Sequence, residues 1–162
     1  EILNNKNLNI EININSKKLI RHEQFVDFFF KFIIEEGLIH MDNSIINWSD
    51  FANFQISDSS FFVENNNLIL NGKIISNIKN SNEIYKFFQT SKKFRTDVKR
   101  LEFSFYYNLD QETIKFNDMK VNNKINLDAT NFFNKSFSKK KFFKNKIYFR
   151  KFINQILKVY VG

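Results

Sequence analysis

From Leu101 to Leu109 the chain alternates: Leu101, Phe103, Phe105, Tyr107 and Leu109 each stand one residue apart. The segment Asp110–Thr113 interrupts the pattern, and Ile114, Phe116 and later Val121 resume it. A helix cannot hold a period of two on one side, whereas a strand does so by construction. The stretch therefore predicts a β-hairpin over 101–123 with one face of large apolar side chains. What that face is buried against is the functional question, because a covering helix and a bound acyl chain are chemically alike.

Other segments repeat or vary the theme. Leu8, Ile10, Ile12 and Ile14 alternate with Asn9, Glu11 and Asn13, which predicts a half-buried strand. In His22–Glu36, Phe25, Phe28, Phe29, Phe32 and Ile33 recur at helical spacing, so an amphipathic helix ending at Gly37 is expected. Strand-like pieces follow at 38–48, 54–63 and 68–78. Glu64–Asn67 supplies a turn between the last two, and Gly72 marks a bulge or bend. A helix is expected over 82–99, capped by Ser81 or Asn82, and another over 126–138, capped by Asp128. The chain closes on Phe149, Phe152, Ile153, Ile156, Leu157, Tyr160 and Val161, an apolar stripe opposite basic and amide residues.

Together these segments predict an α+β fold: a curved antiparallel sheet with two to four helices packed on it, the last being the amphipathic C-terminal helix. At 162 residues, one domain with a real core is expected. Within it, 1–48 forms a strand-plus-helix entry, 49–124 the hairpins with an inserted helix, and 125–162 a basic helical tail. The first residue is Glu1, and no signal peptide or spanning segment is present, so the chain reads as the C-terminal piece of something longer.

The residues needed for catalysis are scarce. With no cysteine, thiolate chemistry and disulfides are excluded. The two histidines, His22 and His40, have no ligand pattern around them, and three scattered glycines build no phosphate loop. No enzyme, metal or cofactor is expected. The net charge of +8 belongs to the tail, because nine basic and no acidic residues follow Asp128. Lys139, Lys140, Lys141, Lys144, Lys146, Arg150 and Lys151 form a candidate basic surface interleaved with phenylalanine. Such a surface suits nucleic acid, anionic lipid or plain solvent.

The stretch SFFVENNNLILNGKIISNIKNSNEIYKFFQTSKKFRTDVKRLEFSFYYNLDQETIKFNDMKVNNK and the closing KIYFRKFINQILKVYVG resemble the C-terminal region of AsmA-like proteins, bacterial envelope proteins with TamB-type relatives. The likeness lies in the order of a strand pair, a short helix with a basic exit, a hairpin and a terminal helix, and spans about half of the chain. It implies a non-enzymatic periplasmic domain tethered to the inner membrane through upstream sequence. It further implies a part in outer-membrane biogenesis, with phospholipid acyl chains carried along an apolar β-groove. On that implication the groove residues are Leu68, Leu70, Ile74, Leu101, Phe103, Phe105, Tyr107, Ile114 and Phe116. No nucleic acid is then expected; the alternative is a basic nucleic-acid- or ribosome-associated protein from an AT-rich genome.

Overall fold

The computed structural model describes residues 5–19, 22–137 and 146–161. It is a curved antiparallel sheet with helices gathered at one side and one end. The strands are β1 (Ile10–Leu19), β2 (His22–Glu35), β3 (Leu38–His40), β4 (Ile45–Trp48), β5 (Ala52–Glu64), β6 (Asn67–Ile78), β7 (Arg100–Asn108), β8 (Thr113–Val121) and β9 (Lys124–Ile125). Sheet order follows chain order, with the short β3 and β4 sharing one position between β2 and β5. Helix α1 (Ser81–Phe87) lies in the β6–β7 connection, and α2 (Leu127–Phe137) and α3 (Lys146–Val161) follow the sheet.

Neighbouring strands joined in sequence need tight turns of the right hand, and asparagine provides most of them. Asn65 and Asn66 (φ 48° and 63°) close β5 onto β6, and Asn122 and Asn123 (φ 50° and 66°) close β8 onto β9. Glu36 and Gly37 (φ 50° and 81°) do the same for β2 and β3. Two consecutive residues at positive φ match the twist of the flanking strands, and asparagine enters that region at modest cost. With three glycines in the chain, asparagine takes over much of glycine's usual role.

The largest departure from expectation is His22–Glu36, which is not a helix but the 14-residue strand β2. Its pairing with β1 is continuous from Ile10↔Ile34 to Ser16↔Phe28. The helical spacing of Phe25, Phe28 and Phe32 arises from a bulge. Asp27 (φ 47°) and Phe28 together oppose Ile46, so Phe25, Phe28, Phe30, Phe32 and Ile34 share one face despite their uneven spacing. Two further bulges use the same residue type. Asp58 (φ 49°) and Ser59 oppose Gly72, while Asp118 (φ 52°) and Met119 oppose Phe103. Each extra residue bends the sheet and adds twist. Gly72 is thus the partner of a bulge: a Cβ there would lie 3.3 Å from both the Phe105 ring and Ser59 Cβ.

Smaller corrections follow the same logic of local polar groups. The expected strand 38–48 is two strands, broken where Ser44 and Asp42 tie the turn to its neighbours. Ser44 Oγ accepts from Lys31 N–H (3.0 Å), and Asp42 Oδ1 accepts from both N–H and Oγ–H of Ser59 (2.8 and 3.1 Å). The expected helix 82–99 shortens to α1, whose cap is Asn80, accepting from Glu83 N–H. Gln89 (φ 53°) ends it, and the Tyr85 hydroxyl holds the following extended segment by bonding both N–H and C=O of Thr96. Helix α2 forms where expected but is capped by Asn126, which accepts from Ala129 N–H at 2.8 Å, and not by Asp128.

A candidate apolar face and what covers it

Register decides which residues share a face. Leu70↔Tyr107↔Ile114 and Gly72↔Phe105↔Phe116 are cross-strand rows, and Ile74↔Phe103 and Ser76↔Leu101↔Val121 complete the set. Leu68 joins them by alternation along β6. All nine residues expected to line a groove therefore project from one side of the sheet. The same side continues through Phe61, Ile56 and Phe54 of β5, then Ile39, Ile46 and Trp48. It ends in Phe28, Phe30, Phe32 and Ile34 of β2 and Ile10, Ile12 and Ile14 of β1. Sequence reasoning missed the β2 contribution because the bulge at Asp27 hides the period-two pattern.

The reverse side mixes polar residues (Glu11, Asn13 and Asn15, then Asn53, Gln55, Ser57 and Ser60, then Lys73, Arg100, Glu102, Ser104 and Lys115) with Phe29 and Ile33 of β2, Phe62 of β5, and Ile69 and Ile75 of β6. Glu102 is buried there at 7% exposure, bound by Arg100 Nε at 2.5 Å with Lys73 Nζ at 3.7 Å. Burial alone would raise its pKa. The hydrogen bond and charge of Arg100, helped by Lys73 and Lys120, outweigh that and hold the carboxyl below its ordinary value. This side also carries an open depression of about 330 Å³ between Glu64, Asn67, Ile69, Tyr106, Asn108 and Lys115.

The apolar side is covered unequally. Over β7 and β8, α2 lays Phe133 against Phe103 and Phe116, with ring centroids 6.2 and 5.2 Å apart. Phe116, Met119 and Val121 are 4%, 3% and 5% exposed as a result. At the end holding Trp48, α1 brings Phe87 and Phe88 edge-on to the indole, 5.0 and 5.8 Å away. Helix α3 secures that corner: Asn154 Nδ2 donates to Phe88 C=O (2.9 Å), its Oδ1 accepts from Thr90 (2.7 Å), and Arg150 stacks 5.7 Å from Phe87. Over β1 and β2 no described helix sits. Ile10, Ile12 and Ile14 are 39%, 43% and 48% exposed, Phe30 and Phe32 are half-buried in a ladder with Phe28 at spacings of 6.0 and 6.3 Å, and Phe28 and Ile34 are buried.

The expected groove residues thus divide. Phe105 and Phe116 are buried, whereas Leu68, Leu70, Ile74, Leu101, Phe103, Tyr107 and Ile114 are half-buried, Phe103 against the Phe116 ring. Of the basic surface, Lys139, Lys140, Lys141 and Lys144 lie outside the described residues, as does the side chain of Lys146. Lys151 is exposed, and Arg150 is half-buried against Phe87. Among the described residues no cluster of acidic and histidine side chains fits a metal ion, and no helix is long and apolar enough to cross a membrane. Protein-family models, curated proteins and solved structures were compared with the chain, and none of them matches it.

Proposed function

We propose that this chain is a non-enzymatic part of an AsmA-like protein of the bacterial envelope, periplasmic and held at the inner membrane through sequence upstream, and that its apolar sheet face shields phospholipid acyl chains during outer-membrane biogenesis. The observation that carries the reading is the exposed β1 end of that face. Ile10, Ile12, Ile14, Phe30 and Phe32 form an apolar strip along two long strands, backed on β1 by Glu11, Asn13 and Asn15. Contiguous exposed apolar surface backed by polar surface marks a binding region for apolar partners. A strip along extended strands fits an extended hydrocarbon chain, which needs length and no hydrogen-bond partners. The covered half then acts as the closed end of the strip, with α2 in the place a lipid would take.

Native mass spectrometry of the purified chain, with extraction and identification of bound lipid, tests this. Phospholipid should copurify at low and high salt and be lost from Ile12→Asp and Ile14→Asp, whose sites are exposed enough to leave the fold intact. Phe103→Asp is the wrong probe, because that ring packs on Phe133 and its loss would unfold the covered half. Chain free of lipid that also takes none from phosphatidylcholine vesicles overturns the reading. Bound nucleic acid that salt strips away would support the basic-tail alternative instead.

A further inference from the structure

Two basic segments lie far apart in sequence and together in space. Residues 86–100 hold six lysines and arginines against one acidic residue, Asp97, and α3 holds four basic residues and no acidic one. Between α1 and β7 the first segment makes a single 3-10 turn, Lys92–Phe94, and that turn packs against α3. The α3 face directed at α1 and this turn is the row Arg150, Asn154 and Lys158, spaced one helical turn apart. Arg150 lies over Phe87, Asn154 bonds to Phe88 and Thr90, and Lys158 Nζ stands 5.2 Å from the centre of the Phe94 ring. From the other side Lys93 Nζ reaches the same ring at 5.0 Å, and Arg95 Nε donates to Thr90 C=O at 3.0 Å.

Among the described residues no carboxylate answers the charge at this seam. Lys86, Lys99 and Arg100 pair with Glu83, Asp97 and Glu102. Lys92, Lys93, Arg95, Arg150, Lys151 and Lys158 make no ion pair with a described residue, and the four lysines are exposed. Arg150 Nε is buried without an acceptor among the described residues, whereas buried donors are almost always satisfied. Like charges held together by packing repel one another, and an anionic partner relieves that repulsion.

We infer that this corner of α1, the 3-10 turn and α3 docks on an anionic phospholipid surface, with Arg150 taking a phosphate oxygen and the exposed lysines the neighbouring headgroups. Two observations select a lipid surface over a nucleic acid. Single-strand binding relies on aromatic rings free to stack on bases, and the half-buried Phe94 ring carries an ammonium from each of Lys93 and Lys158. The corner also closes one end of the apolar face: Phe87, beneath Arg150, meets the Trp48 indole, and Trp48 meets Phe25 of β2 at 6.1 Å. A cationic corner joined to an apolar face matches a headgroup layer above hydrocarbon. One consequence rests on the acyl-chain reading: docking here would set the Trp48 end of the apolar face against the bilayer that gives or receives a chain. The charged surface itself does not depend on it.

Vesicle flotation of the whole chain tests this. Vesicles of equimolar phosphatidylglycerol and phosphatidylcholine should bind it far more tightly than pure phosphatidylcholine, with the advantage lost at high salt. Lys92→Gln, Lys93→Gln and Lys158→Gln together should weaken that binding by about a hundredfold, at roughly fivefold for each cation near the surface. Their side chains are exposed, so the fold should survive. Arg150→Met keeps an apolar stem on Phe87 and should weaken docking about fivefold without lowering the urea midpoint. Equal binding to both kinds of vesicle, or a triple variant that docks as well as the parent chain, overturns the proposal. So does binding to a single-stranded oligonucleotide in preference to the charged vesicles. A chain that docks on charged vesicles yet holds no extractable lipid keeps the docking surface and removes the acyl-chain reading; one that holds lipid and ignores vesicle charge does the reverse.

Discussion

The strands β1–β2 and β7–β8 are written in the same alphabet and meet different fates. β1, β7 and β8 alternate apolar with polar residues, both pairs are antiparallel, and both place aromatic or aliphatic side chains on the same side of one sheet. Yet Met119 is 3% exposed and Ile14 is 48% exposed. The difference is α2 and its cap: the helix supplies Phe133 to the face and Thr130 and Asn134 to the edge of β8, and the cap supplies Asn126. Alternation specifies that a strand has an apolar side. It carries no information on whether protein, lipid or another copy of the chain will cover that side, since burial gains nearly the same free energy from each.

The contrast can be broken at several strengths. Phe116→Ala removes a ring held between Phe103, Phe105 and Phe133 and should cost about 3–5 kcal/mol in urea unfolding. A cost below about 1 kcal/mol would mean that α2 does not seal this half. Asn134→Leu keeps much of the volume but leaves the N–H and C=O of Phe116 without partners beneath a helix. We expect a loss of about 2 kcal/mol, with faster amide exchange at Phe116 than at Met119, whose partners on Thr130 and Asn126 remain. Ile12→Ser, made at a site of identical local pattern in the open half, should change stability by no more than about 0.5 kcal/mol while weakening lipid retention. If Ile12→Ser instead proved as costly as a core substitution, something in the chain would be covering β1, and the open strip would not exist.

Much of the sheet was legible from the residues. The Leu101–Asn123 hairpin, the pair about Asn65–Asn66, the Ile10–Ile14 strand and the terminal helix all declare themselves, because alternation and helical spacing follow directly from backbone geometry. Nine dispersed residues could be assigned to one face for the same reason. The Phe25–Ile34 segment was misread because a single αL aspartate shifts the register by one, and in a run nearly all apolar a bulged strand and a helix stripe select almost the same positions. The shortening of α1 was equally hidden: it depends on the Tyr85 hydroxyl reaching Thr96, eleven residues on.

By itself, then, the sequence determined the periodicities, and through them a sheet with one apolar side and helices to accompany it. It also determined the absence of thiol chemistry, since the chain has no cysteine. Only the tertiary structure decided which part of that side is core and which is open. That choice rests on α2 returning to β8, with Asn134 and Phe133 finding the strand 18 and 17 residues back at Phe116. Contacts between elements depend on where chain ends meet in space, and no local pattern of residues encodes that meeting.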